Sequence, residues 1–148
     1  MARPEVPDTS ALLDAVRRPE RWPALQRSLE SGRTWLSSVV VAELYAGTRS
    51  PQDALVLDRI VAAMRRVGRE LTPSEGDWAR AGRLIARRIR LSGGLRPRDH
   101  LADVLILVSA ARLGGVVVTA NVRHFQAWVR LASASGLDVE VRSSAEAE

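Results

Sequence analysis

The chain has 148 residues, 46% of them hydrophobic, with a formal net charge of +5 and a sequence pI near 11.2. That length builds one domain with a sizeable core and is short for two. The lack of cysteine excludes disulfides, thiolate metal sites and cysteine nucleophiles, while the positive charge points to an acidic partner, nucleic acid first.

In chain order, apolar periodicity predicts helices over Asp8–Val16 and Arg21–Leu29, the second following Pro19 and carrying Trp22, Leu25 and Leu29 at helical spacing. Thr34–Ser38 reads as a short strand, and Val39 to about Ala46 as a helix stopped by Gly47. Ser50-Pro51 starts another helix with a stripe of Leu55, Ile60, Val61 and Met64, and Val67–Leu71 reads as a buried strand. The helix from Ser74 to about Leu91 is expected to bury Trp78, Ala81, Ile85 and Ile89, with Arg80, Arg83, Arg87 and Arg90 on another side.

Arg96–Asp99 is expected to form a loop into a helix led by Asp103, followed by a strand at Val116–Thr119 and a turn at Asn121. Phe125 to about Ala134 completes the helices, and Leu137–Val141 is the last strand. Alternating helices and strands predict one α/β domain over residues 1–142. It is a three-layer sandwich with a central, mostly parallel sheet of about five strands flanked by helices. Residues 143–148 are expected to form a disordered tail. The N-terminus MARPEVPDTS has no apolar leader core, and no apolar run nears the roughly 20 residues of a membrane span, so a soluble, cytoplasmic protein is expected.

Three carboxylates fall at element ends. Asp8 opens DTSALLDAV, Glu43 follows Val39-Val40-Val41, and Asp103 opens the run DVLILVSAARLGGVVVTANVRHF, which ends a helix at Gly114-Gly115 and delivers Thr119 and Asn121 from a strand. Strand ends of parallel sheets are where ligands gather, so the three acids can share one crevice. Two unit charges about 4 Å apart repel by roughly 4 kcal/mol at an effective dielectric of 20, which calls for a counter-charge. An oxygen-only set suits Mg²⁺ or Mn²⁺. Taken singly, each acid reads first as a helix N-cap.

The pieces PDTSALL, SSVVVAELYAG and DVLILVSAARLGGVVVTANVRHF, in that order over nearly the whole chain, resemble the PIN domain, specifically the VapC-type toxins of toxin–antitoxin pairs. The resemblance implies a Mg²⁺- or Mn²⁺-dependent endoribonuclease with Asp8, Glu43 and Asp103 as metal ligands and Asn121 at the fourth corner of the catalytic group. It also implies an RNA substrate, a VapB-type antitoxin and a homodimer. Two positions depart from the family pattern. His124 stands where the family carries an acid before Phe125, which leaves open a non-catalytic RNA- or partner-binding scaffold, and Pro4-Glu5-Val6-Pro7 replaces an apolar first strand, which is expected to loosen Asp8.

Accessory candidates are Thr9, Ser10 and Thr119, which can hydrogen-bond an acid or a bound water and equally serve as backbone caps, and Asp99, one turn before Asp103. His100 reads as a surface residue, and Trp22, Trp35, Trp78 and Trp128 as core rather than base-stacking platforms. Arg80, Arg83, Arg87 and Arg90, with Arg96 and Arg98, can track an RNA backbone or form a solvated face. That every cation except histidine is Arg suits phosphate, yet with Asn121 the sole Asn it reads more readily as codon bias.

Overall fold

The strands are short and every pairing is parallel. The computed structural model describes residues 2–18 and 20–147. Among them β1 (Glu5–Pro7), β4 (Val116–Thr119) and β5 (Glu140–Ser143) form one ladder in the order β1-β4-β5, while β2 (Leu36–Ser37) and β3 (Glu70–Leu71) form a second. A parallel bridge between Glu5 and Thr34 joins the two, giving the order β3-β2-β1-β4-β5. The helices are α1 (Thr9–Arg17), α2 (Trp22–Glu30), α3 (Ser38–Ala46), α4 (Pro51–Arg66), α5 (Glu75–Ser92), α6 (Pro97–Arg112) and α7 (Val122–Ala134). The result is the expected α/β sandwich around a parallel sheet, divided into ladders of three and two strands.

Prolines at both ends of β1 are tolerated because hydrogen bonding alternates along a strand. Glu5 turns to the β2 side, donating to Arg33 O and accepting from Trp35 N at 2.8 Å each. Pro4 offers β4 only the carbonyl that Val116 N needs, at 2.8 Å, and Asp8 N resumes the ladder by donating to Val118 O at 2.9 Å. Pro7 therefore faces away from β4, where its missing N–H is not called on. β1 is short, as expected, but it does not loosen Asp8.

Helix α6 is the axis of the core. Val104 to Ala110 are buried in succession, so this helix is covered nearly all round, packing on α5, α7, α3 and β4. Gly114, at φ +63°, reverses the chain at its end, and a Cβ on Gly115 would stand 3.0 Å from Pro4 O and 3.2 Å from Ala110 O. Only glycine lets β4 leave α6 so close to β1. The main core joins Val6, Val40, Phe125 and Trp128 to α6, and a smaller cluster gathers Leu36, Val61 and Met64.

Several boundaries shift from the sequence expectation. Val67 caps α4 at 55% exposure and Gly68 turns at φ +70°, leaving only Glu70–Leu71 to pair as a strand. The second strand likewise contracts to Leu36–Ser37. β5 starts at Glu140 rather than Leu137, because it pairs only alongside Val116–Thr119. Its last residue is Ser143, and Ser144–Ala147 continue as a 3-10 turn; Glu148 lies outside the described residues. Leu55 and Trp78 are more than half exposed, against the expectation of burial, whereas Trp128 is fully buried and Trp35 packs at the core edge. The Trp22 side chain lies outside what is described. Among the described residues no helix is long and apolar enough to cross a membrane.

Candidate active site

Asp8 leaves the end of β1 as the N-cap of α1. Its Oδ1 accepts from Ala11 N at 2.9 Å and from the Ser10 hydroxyl at 2.7 Å, and its Oδ2 accepts from the Thr119 hydroxyl at 2.7 Å. Both the capping reading and the strand-end reading of Asp8 are thus realised in one buried carboxylate. Thr119 ends β4, and its oxygen in turn accepts from Asn121 N at 3.1 Å.

Glu43 does not sit at a helix start. It lies inside α3, exposed, and accepts from the Thr9 hydroxyl at 2.8 Å. Because Thr9 follows Asp8 directly, this bond ties α3 to the β1 end. The β-branched run before Glu43 belongs to the helix, as expected, and Ser37 caps α3 through Val39 N, which leaves Glu43 inside the helix.

Asp103 also lies within a helix, not at its head. Pro97 occupies the first turn of α6, so the expected loop at Arg96–Asp99 is the helix start itself. This removes the capping explanation for Asp103. Its Oδ2 stands 2.5 Å from His124 Nε2, in the first turn of α7, and His124 N donates to Asn121 O at 3.2 Å. Glu43 is hydrogen-bonded to Thr9, which the peptide bond joins to Asp8, and from Asp8 polar contacts run through Thr119, Asn121 and His124 to Asp103, across the C-terminal ends of β1 and β4.

The path brings the acids to one end of the sheet but not into a tight cluster. Among the described residues no three of His, Asp and Glu stand close enough to hold a metal ion. Among those residues Glu43 Oε2 and Asp103 Oδ1 accept no hydrogen bond, so these two acids each keep an oxygen available while both Asp8 oxygens are hydrogen-bonded, and the donor set, all carboxylate with one imidazole nearby, suits a hard divalent cation.

Asn121 is exposed, and its side chain makes no capping bond to α7. Asp99 is exposed in the first turn of α6 and is not drawn into the polar path. Thr9, Ser10 and Thr119 join it directly.

His100 was the residue undervalued by sequence reasoning. Its ring stacks on His124, with centroids 6.5 Å apart, and leans on Trp128 at 5.5 Å, while the Arg88 guanidinium covers Trp128 at 4.4 Å. The available signal was its spacing of three residues before Asp103, which places both on one helical face.

Two sizeable concavities lie elsewhere. One, of about 370 Å³, is an apolar groove among α1 to α4 that includes Leu13, Val41, Val56 and Ile60. The other, of about 400 Å³, is lined by Arg80, Arg83, Arg87 and Arg90 with Ser135 and Leu137. Arg96 caps the N-terminus of α6 and, like Arg98, is exposed.

A family model described as PIN domain matches residues 6–128. No curated protein matches the chain. Among solved structures, DNA-bound VapBC from Salmonella typhimurium is similar at 19% identity and TM-score 0.67, covering 97% of this chain and 99% of that one. VapBC-1 from nontypeable Haemophilus influenzae gives 17% identity and TM-score 0.67 over 95% and 98% of the two chains. FitAcB from Neisseria gonorrhoeae gives 22% and 0.64 over 95% and 97%. At these identities the likeness is one of fold.

Proposed function

The chain belongs to the PIN domain family, and from that premise we propose that it is a metal-dependent endoribonuclease acting as the toxin of a toxin–antitoxin pair. The observation that carries the reading is the polar path joining Glu43, Asp8 and Asp103 across the ends of β1 and β4. The chain has no Cys to act as a nucleophile, and carboxylates at parallel strand ends supply a metal-assisted route to hydrolysis.

Asp8, Glu43 and Asp103 would hold Mg²⁺ or Mn²⁺. Bound there, such an ion polarises a phosphodiester oxygen and lowers the pKa of a water, so hydrolysis needs no nucleophilic side chain. The protein's own groups hold and orient. Ser10 and Thr119 fix the Asp8 carboxylate from two sides, Thr9 tethers Glu43, and His124 sets the direction of Asp103. Asn121, exposed at the start of α7, can hydrogen-bond a phosphate beside the acids. The helix N-terminus behind it favours the same anion.

The structural relatives are VapBC and FitAcB assemblies, which supports an antitoxin as partner, and the apolar groove among α1 to α4 is the candidate surface for it. A homodimer is part of the same proposal. The activity is tested by incubating the protein with total RNA with and without Mn²⁺ or Mg²⁺, alongside Asp103→Asn. Discrete metal-dependent fragments lost in the variant support it; equal cutting by a folded Asp103→Asn protein removes Asp103 from the site.

One observation favours a second reading, a PIN scaffold that binds RNA or a partner without cutting it. His124 takes the place of the family's acid and engages Asp103, the very residue a metal would need. Undiminished RNA binding in EDTA, with no cleavage across Mg²⁺ and Mn²⁺ titrations, selects this reading.

A further inference from the structure

We propose that the arginine groove on α5 is a second RNA-holding surface, separate from the carboxylates, that grips the substrate backbone several nucleotides from the cut. The proposal rests on the ribonuclease reading for the identity of its ligand. Arg80, Arg83, Arg87 and Arg90 recur at helical spacing, so they share one side of α5, and together with Leu84, Ala86, Ser135 and Leu137 they line a concavity of about 400 Å³. No carboxylate lines it, and among the described residues none of the four arginines has an acid within salt-bridge distance.

That arrangement is unfavourable in isolation. Like charges three and four residues apart on a helix repel, and an ordinary solvated face intersperses acids among them, as α4 does with Asp53 and Asp58. Arg87 alone has a polar side-chain partner, donating to the Ser135 hydroxyl at 3.1 Å at the end of α7. The other three guanidinium groups stand exposed around the groove. A polyanion offsets the repulsion and takes up the forked donors, which match phosphate oxygens bidentately. A second copy of this chain meeting the groove face to face would set arginine against arginine, so charge complementarity selects the RNA strand.

The position fixes which RNA benefits. His124 opens α7 beside Asp103, whereas Ser135 caps its far end, about 16 Å away along a helix that rises about 1.5 Å per residue. At about 3.4 Å per stacked nucleotide, that distance corresponds to about five nucleotides. Short fragments occupying the acidic end do not reach the groove, and longer strands span both.

The test is fluorescence-anisotropy binding in EDTA, which prevents cutting, with RNAs of about 12 and about 3 nucleotides. The proteins are the wild type, a variant carrying Arg80→Gln, Arg83→Gln, Arg87→Gln and Arg90→Gln, and the same four positions changed to Lys to keep charge. We expect the Gln variant to bind the long RNA about tenfold or more weakly, with a salt slope smaller by roughly 3, at about 0.7 per lost single-strand phosphate contact. The Lys variant should recover most of that loss, and the short RNA, which makes fewer phosphate contacts in the groove, should lose less than the long one. Unchanged long-RNA affinity and slope in a folded Gln variant overturn the proposal. So does a Gln variant that keeps RNA binding but loses self-association or an acidic protein partner. If metal-dependent cutting occurs and the Gln variant binds normally, the groove assignment alone fails; if nothing is cut while the arginine dependence holds, the groove stands and the nuclease reading fails.

Discussion

Thr119 and His124 are the two residues on which the site's order turns. The Thr119 hydroxyl is fully buried, donates to Asp8 and accepts from Asn121 N. Thr119→Val keeps the shape and leaves Asp8 Oδ2 without its hydroxyl donor, so it should cost roughly 1.5–3 kcal/mol, the range for hydrogen bonds to charged groups. Urea unfolding reads this directly, and a loss below a few tenths would show that water replaces the hydroxyl. His124→Asp returns a fourth carboxylate to the group. Calorimetry should show tighter Mn²⁺ and Mg²⁺ binding by the variant, with lower metal-free stability because the new acid faces Asp103 in place of the imidazole. Equal affinity in the two proteins would place His124 outside the metal's reach. The sequence made these residues legible as candidates, since TANVRH carries both, but it did not show that His124 pairs with Asp103 rather than standing free.

The helix and strand ends carry the next level of control. At the head of α5, Ser74 and Asp77 form a reciprocal capping box, and Arg112 from the end of α6 reaches the buried Asp77 carboxylate at 3.0 Å. Burial alone raises the Asp77 carboxyl, but the Ser74 N–H, the Arg112 guanidinium and the Ser74 hydroxyl together outweigh it and hold the group below its ordinary 3.8. A depressed carboxyl contributes stability that is present above the unfolded value and lost as pH falls through the folded one. Asp77→Asn should therefore lose about 1–3 kcal/mol near neutrality, and the gap to the parent should narrow below about pH 4. Urea midpoints at the two ends of that range measure it; a pH-independent gap would mean that the carboxylate's charge is immaterial.

At the other end of α6, Gly115→Ala should cost roughly 1–3 kcal/mol, because its methyl meets two carbonyl oxygens. A thermal melt unchanged by this substitution would show that β4 and α6 can part without loss. The elements themselves were largely legible, because caps and apolar periods are local signals. The placements of Glu43 and Asp103 were not. Each reads locally as a helix-opening acid, whereas the helix expected from Val39 is capped by Ser37, which puts Glu43 inside it, and Pro97 starts α6 well before Asp103.

Across the whole molecule, parallel order β3-β2-β1-β4-β5 delivers Asp8 and Thr119 to the same edge from adjacent strands, and α3, α6 and α7 bring Glu43, Asp103 and His124 to it. Motif order predicts that the three acids share a crevice; among the described residues they lie along one end of the sheet without forming a cluster of three, because no sequence pattern encodes the rotamers that leave Asp103 on His124 and Glu43 on Thr9. Positive charge is likewise organised at this scale: the net +5 includes four arginines lining one groove rather than an even coat. The most direct test of the account is metal binding followed by cleavage. Isothermal titration of Mn²⁺ into the wild type and Asp103→Asn, with total RNA then added to the same samples, should give a binding isotherm and discrete fragments for the wild type and neither for the variant. Mn²⁺ binding and RNA cutting that survive in the folded variant would contradict the account, because the carboxylates across β1 and β4 would then not be the centre of the chemistry.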